Sequence, residues 1–197
     1  MKICIIDYGM GNIASVSNAI HFLNKEVDLI SDPKAVVKYD TIILPGVGAF
    51  SKAMERLKEN GLDQAIKESV HKGKRLIGIC LGMQLLFTES LEFGSTQGLG
   101  IIDGNVLPFK SEHRLLIPHI GWNEAVTDWK DYKQFNGDYY FVHSFHCVPE
   151  DDSQILFRTN YGIKICSAVN IDNQVFGFQF HPEKSQKLGL QLLNKVL

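Results

Sequence analysis

The sequence predicts an α/β fold: a mostly parallel central sheet flanked by helices in the first half of the chain, extended by an antiparallel β region in the second. Three observations carry this. Short, continuous apolar runs at Ile3–Ile6, Thr41–Leu44 and Leu76–Ile79 have the pattern of strands buried on both faces. Each is followed by a turn or loop with glycines or by a sharp junction, and then by residues with helical periodicity, the rhythm of βαβ units. From Gly94 that periodicity stops, and short β-rich pieces punctuated by Gly98, Gly100, Gly104, Pro108, Pro118 and Gly121 take its place.

The elements follow in order. Ile3–Ile6, rich in β-branched residues, ends at the turn Asp7-Tyr8-Gly9-Met10-Gly11-Asn12. Residues 13 to 24 carry apolar side chains at 13, 16, 19, 20 and 23, one face of a helix. Residues 26–30 form a second strand. The third, Thr41–Leu44, stops at Pro45-Gly46-Val47-Gly48, and helices over 51–58 and 62–72 follow, split by Asn60-Gly61. The fourth strand leads into a helix over 81–90. In the second half, residues 139–148, 154–158, 163–170 and 174–179 read as strands, and a helix over 184–196 closes the chain. With no repeat, linker or low-complexity segment, residues 1–197 read as one domain.

Composition narrows the function classes. Twenty basic and 22 acidic side chains leave a net charge of −2, which offers no electrostatic pull toward nucleic acid or an anionic membrane. A chain that is 45% hydrophobic and 21% charged is not disordered, collagenous or coiled-coil. The cysteines at 4, 80, 147 and 166 include no C-x-x-C pair, and a chain of this length needs no disulfide staple. They read as free thiols of a reducing compartment. The apolar run before Asp7 is shorter than the roughly 7–15 residues of a signal-peptide core. No stretch approaches the roughly 18 apolar residues of a membrane span. The chain therefore reads as soluble and cytoplasmic.

The strongest chemical signal is Gly78-Ile79-Cys80-Leu81-Gly82. It is the thiol version of the G-x-S-x-G nucleophile elbow, at a strand-to-helix junction. A nucleophile on so sharp a turn needs small neighbours two residues to either side, and Gly78 and Gly82 meet that need. A helix start there presents unpaired N–H groups, which favour a thiolate and hold an oxyanion. Alone, the same pattern also fits a structural cysteine between packing glycines. A cysteine nucleophile needs a base, and the candidates are His21, His71, His113, His119, His143, His146 and His181. His181 stands out in Phe178-Gln179-Phe180-His181-Pro182-Glu183: an apolar strand delivers the imidazole at its C-terminal end, and Glu183 is placed to orient it. Gly46, Val47 and Gly48 follow a buried strand and can turn backbone N–H groups toward an oxyanion. They lack the G-K-[ST] ending of a phosphate loop, and Gly9-Met10-Gly11-Asn12 departs from the G-x-G-x-x-G of dinucleotide sites. His143, His146 and Cys147 have metal-like spacing only on a helix, and they fall in a strand. No metal or cofactor is expected.

In combination, and in this order, Pro45-Gly46-Val47-Gly48, Gly78–Gln84 and His181-Pro182-Glu183 resemble the class I (triad) glutamine amidotransferases, with their flavodoxin-like fold. Asp7–Asn12, Pro118-His119-Ile120-Gly121-Trp122-Asn123 and Tyr140-Phe141-Val142-His143-Ser144 look like the glutaminase subunits of imidazole glycerol phosphate synthases, in histidine biosynthesis. The resemblance implies that Cys80 forms a glutamyl thioester, His181 moves its proton and Glu183 orients His181. It implies oxyanion donors at Gly48 and Leu81, and contacts to the glutamine α-groups from Gln84, Glu92, Ser144 and Phe145. It implies that ammonia passes to a (β/α)₈ barrel synthase subunit, in a heterodimer docked through Asn12, Ser15, His119, Trp122, Asn123, Tyr140 and Lys184. The departures are Phe145-His146 where the family usually has Tyr-Tyr, and Ile120 where it often has Met. These leave a paralogue that amidates nucleotide sugars for surface polysaccharides as the alternative.

Overall fold

The computed structural model describes residues 1–109 and 116–197; of the candidate bases, His113 lies outside them. The first half runs β1 (Ile3–Ile6), α1 (Ile13–Phe22), β2 (Asp28–Ile30), α2 (Pro33–Val36), β3 (Thr41–Gly46), α3 (Phe50–Glu59), α4 (Leu62–His71), β4 (Arg75–Cys80) and α5 (Leu81–Leu85). Then come β5 (Phe87–Ser90), β6 (Thr96–Gln97), β7 (Ile102–Pro108), β8 (His119–Val126), β9 (Gly137–His143), β10 (Phe145–Pro149), β11 (Ile155–Tyr161), β12 (Ile163–Ile171), β13 (Val175–Phe178) and α6 (Gln186–Val196).

One sheet joins all these strands, in the order β2-β1-β3-β4-β13-β12-β10-β7-β5-β6, with β11 branching from β12 and carrying β8 and then β9. From β2 to β13 the pairings are parallel. From β13 to β12, β10 and β7 they are antiparallel. The chain thus returns at its end to lay β13 against β4, with Phe178 in register with Ile79. This register brings the His181 segment beside the Cys80 elbow.

The continuous apolar runs are explained by two cores. Cys4, Ile6, Ile42 and Leu44 pack on one face with Phe50, Leu57, Leu62 and Ile66 of α3 and α4. Ile3, Ile5, Ile43, Ile77 and Ile79 pack on the other with Val16 and Ile20 of α1 and with Leu192 and Leu193 of α6. Alternate residues serve opposite faces, so a strand sandwiched between helices must be apolar throughout.

Two expectations are corrected, and both concern the site. The helix expected over 81–90 ends at Leu85; Phe87–Ser90 is instead strand β5, paired with β7 and β6. Leu85-Leu86-Phe87 has no periodicity of its own, and sheet pairing decides it. The single strand expected over 139–148 is broken at Ser144, because β9 pairs with β8 while β10 pairs with β7 and β12. Among the described residues no helix is long and apolar enough to cross a membrane.

Candidate active site

Cys80 ends β4 and precedes α5 with φ 57° and ψ −113°. A side chain at positive φ is strained by roughly 1–3 kcal/mol and persists where its surroundings fix it. The surroundings here are glycines. A Cβ on Gly82 would lie 1.8 Å from the Leu44 carbonyl oxygen, and one on Gly78 2.6 Å from that of Gly82. The elbow therefore sits flush against β3, as the spacing of the motif predicts. Cys80 is almost fully buried, and its Sγ lies 3.9 Å from the Val142 carbonyl.

The ring of His181 is buried, and its Nδ1 lies 2.7 Å from Glu183 Oε1, in a carboxylate whose side chain is 1% exposed. Nε2 makes no hydrogen bond within the protein, and the Cys80 sulfur is the neighbour that raises the proton affinity of the ring. Such catalytic contacts are often loose without substrate and tighten when it binds. Burial opposes charge on the ring, but the sulfur and Glu183 outweigh it and raise the His181 pKa to about 9. His181 N also donates to the Tyr140 carbonyl at 2.9 Å, and Ser185 Oγ to the His181 carbonyl at 2.6 Å, so the strap carrying the ring is pinned at both ends.

His143, the competing base, is engaged elsewhere. Its Nδ1 meets the Phe145 carbonyl at 2.8 Å and its Nε2 meets His119 Nδ1 at 2.9 Å. Burial pushes its pKa down to about 3. Neither nitrogen is free to take a thiol proton.

A cleft of about 280 Å³ opens over Cys80, lined by Val47, Gly48, Leu81, Gln84, Glu92, Pro118, Val142, His143, Ser144 and Phe145. The structure thus brings the oxyanion and glutamine candidates together. Gly46 stands just behind, where a Cβ would meet the Tyr8 hydroxyl at 2.7 Å. That hydroxyl donates to the Pro45 carbonyl at 2.9 Å and anchors the loop. Gln84 Nε2 donates to the Phe145 carbonyl at 3.2 Å and to Gln179 Oε1 at 3.0 Å. Both amide hydrogens are used within the protein, so Gln84 has only its oxygen left to offer a ligand. One oxygen of Glu92 accepts from Phe50 N at the start of α3, 2.5 Å away. Sequence reasoning missed Tyr8, Pro118, Val142 and Gln179. For Gln179 a signal existed, since one amide between Phe178 and Phe180 in an alternating strand faces away from the aromatic core.

The expected docking residues divide. Trp122 is exposed, at 49%, and so is the departing residue Ile120 nearby, at 59%. Trp122 pairs across the strands with Tyr140, ring against ring at 6.1 Å. Asn12 caps α1 by accepting from Ser15 N, and Lys184 is exposed beside the triad. His119 is different. The expectation put it on the docking face, but its ring is buried, stacked between Phe141 and Tyr161 at 4.7 and 3.8 Å. Its neighbour Asn123 is half-buried and bonds to it. Among the described residues no group of three or more His, Cys, Asp or Glu gathers as a metal site would require.

Comparison with known proteins agrees with this geometry. Residues 4–196 match the family described as glutamine amidotransferase class-I. The imidazole glycerol phosphate synthase subunit HisH of Sulfurimonas denitrificans is 48% identical, over 97% of this chain and 95% of that protein. Those of Aquifex aeolicus and Helicobacter hepaticus are 46% and 44% identical, over 98% and 100% of this chain and 94% and 98% of theirs. Among solved structures, one described as a glutamine amidotransferase aligns with a TM-score of 0.78 at 16% identity, covering 98% of this chain and 96% of that one. PurLQS from Thermotoga maritima aligns at 0.72 and 18% identity, covering 99% and 96%. At such identities the structural likeness is one of fold, while the sequence match runs end to end. The chain belongs to the class-I glutamine amidotransferases, in the family of the imidazole glycerol phosphate synthase HisH subunits.

Proposed function

We propose that this chain, as one amidotransferase domain, hydrolyses glutamine to glutamate and ammonia and hands the ammonia to a synthase partner, as the glutaminase subunit of an imidazole glycerol phosphate synthase in histidine biosynthesis. The observation that carries the reading is the cleft: a cysteine on a strained elbow at its floor, served by a buried His181–Glu183 pair.

In this reaction Cys80 Sγ attacks the side-chain amide carbon of glutamine while its proton passes to His181 Nε2. A C–S bond forms, and the carbonyl oxygen becomes an oxyanion facing the N–H groups of Gly48 and Leu81. The intermediate collapses as the C–N bond breaks. His181 returns the proton to the departing nitrogen, ammonia leaves, and a glutamyl thioester remains. Water, deprotonated by His181, then cleaves the thioester to glutamate. Glu183 keeps Nδ1 protonated throughout, so that Nε2 is always the working nitrogen. The raised proton affinity of His181 favours the first transfer. The Gln84 oxygen and Glu92 receive the substrate's α-ammonium, and the backbone at Ser144 and Phe145 its carboxylate.

The partner in this reading is a (β/α)₈ barrel docked over the cleft, forming a heterodimer. Exposed Ile120 and Trp122 supply the apolar anchor of the kind that carries interface energy. Tyr140, Asn123, Asn12, Ser15 and Lys184 ring it. The relatives support a histidine-pathway acceptor over a nucleotide sugar: those compared are imidazole glycerol phosphate synthase subunits by name. Of the departures, His146 packs against Phe109, with ring centres 5.1 Å apart.

The test uses the chain with a histidine-pathway barrel subunit and its ribonucleotide acceptor. Glutamate should form with the wild-type chain. Cys80→Ala should form none, while synthesis from added ammonium continues. Glutamate production by Cys80→Ala, or no hydrolysis by the wild-type complex, would overturn the reading.

A further inference from the structure

Beside the triad lies a hydrogen-bonded line that the reaction does not use. His143 Nδ1 meets the Phe145 carbonyl at 2.8 Å. His143 Nε2 meets His119 Nδ1 at 2.9 Å, and His119 Nε2 meets Asn123 Nδ2 at 3.2 Å. Asn123 Nδ2 also donates to the Asn160 carbonyl at 3.1 Å, and Asn123 Oδ1 accepts from Glu124 N at 2.9 Å.

The protons in this line have one consistent arrangement. Carbonyl oxygens only accept, and backbone N–H groups only donate. At the outer end, Asn160 O and Glu124 N fix which atom of the Asn123 amide is nitrogen. That nitrogen can only donate to His119 Nε2, so His119 carries its proton on Nδ1. His119 Nδ1 then donates to His143 Nε2, which leaves the His143 proton on Nδ1, facing the Phe145 carbonyl. Both rings must be neutral for this, and burial holds them so, pushing His119 down to about 4 and His143 to about 3.

We infer that His119 and Asn123 act as a tautomer lock, which makes His143 a positioning residue for glutamine binding. The step to glutamine rests on the function proposed above. The Phe145 carbonyl takes His143 Nδ1 and Gln84 Nε2 together, filling its two lone pairs. Ser144 O is likewise taken, by Phe109 N. Both carbonyls at the break between β9 and β10 are thus turned into the protein. In the other tautomer, His143 would present a lone pair to the Phe145 oxygen. That peptide would be pushed out of place, and a carbonyl in the cleft would repel the substrate's carboxylate. The same contact orients Gln84, whose remaining oxygen then faces the ligand.

Substitutions at His143 separate the two ring nitrogens. An asparagine amide overlays the Nδ1 side of an imidazole, and a glutamine amide its Nε2 side. In the complex with the barrel partner, His143→Gln and His143→Phe should raise the KM for glutamine by about tenfold, the effect of one ordinary hydrogen bond, with kcat changed less than threefold. His143→Asn should restore most of the KM. Labelling of Cys80 by the glutamine-like electrophile diazo-oxo-norleucine should slow in step with KM, while labelling by iodoacetamide should not. Imidazole ¹⁵N NMR of the wild-type chain should find His143 as the Nδ1–H tautomer. In His119→Phe, which keeps an aromatic ring between Phe141 and Tyr161, that tautomer should be lost. Three results would each overturn the inference: kcat losses of 10³ or more in His143→Asn and His143→Gln alike, equal KM in those two variants, or an Nε2–H tautomer in the wild type. Were the wild-type complex to hydrolyse no glutamine, the proposed function would fall instead, and the tautomer measurement would still decide the lock.

Discussion

Replacing Gly82 by alanine tests whether the elbow is held by contact or by its own stiffness. The added Cβ would lie 1.8 Å from the Leu44 carbonyl oxygen and 2.8 Å from its carbon. Real Cβ atoms stay at 3.0 Å or beyond, so the two backbones must part by about 1.2 Å. Leu44 cannot yield cheaply, because β3 lies in the sheet interior between β1 and β4, with Leu44 in register with Gly78. The elbow must move, and Cys80 moves with it, away from a His181 that is pinned through Tyr140 and Ser185. Misplacing a reacting group by about 1 Å costs on the order of 10²-fold in rate. The overpacking itself costs about 1–3 kcal/mol of stability. Glutaminase kcat/KM in the presence of the partner should therefore fall about a hundredfold, with a lowered thermal midpoint but a folded chain. Gly73→Ala is the control: nothing lies within 4 Å of its added Cβ, so it strains a positive-φ turn without touching the site. Activity within threefold of wild type in Gly82→Ala would show that the close approach does not position Cys80.

Two further outcomes follow from the buried charges. His181→Ala should lose several orders of magnitude in kcat and Glu183→Gln somewhat less, since the ring can still find Nε2 part of the time; a Glu183→Gln enzyme as active as wild type would remove Glu183 from the triad. Stability should decline as pH falls below 6.5. Below it, His119 and His143, depressed in the fold to about 4 and 3, stay neutral while the unfolded chain takes up protons, so each subtracts up to about 1.4 kcal/mol per pH unit of acidification. Denaturant midpoints from pH 4.5 to 7.5 would reveal the decline, and His119→Phe should flatten it. An acid limb as steep in His119→Phe as in wild type would refute the assignment to this pair.

What was legible in the sequence and what was not divide along one physical line. The nucleophile could be read because its constraints lie within five residues: a thiol on a sharp turn, and glycines where Leu44 and Gly82 crowd the backbone. His181 and Glu183 are two residues apart, in the turn just beyond the end of β13 at Phe178, and the parallel sheet could be read from runs that feed two cores at once. The rest depends on register. His119 and His143 stand directly opposite in the β8–β9 ladder, and a slip of one residue would send one of them to the other face. No local pattern sets that register, so the sequence alone offers both as rival bases and His119 also as a docking residue. Gln179 meets Gln84 because the residues before it, through Phe178, run in register beside β4 up to Ile79, next to the elbow. The break at Ser144 was invisible for the same reason, since it exists only because the strands on its two sides have different partners. Chemistry carried by neighbours in sequence leaves a motif. The positioning of the substrate is carried by neighbours in the sheet, and it leaves isolated histidines and glutamines whose purpose appears only when the strands are paired.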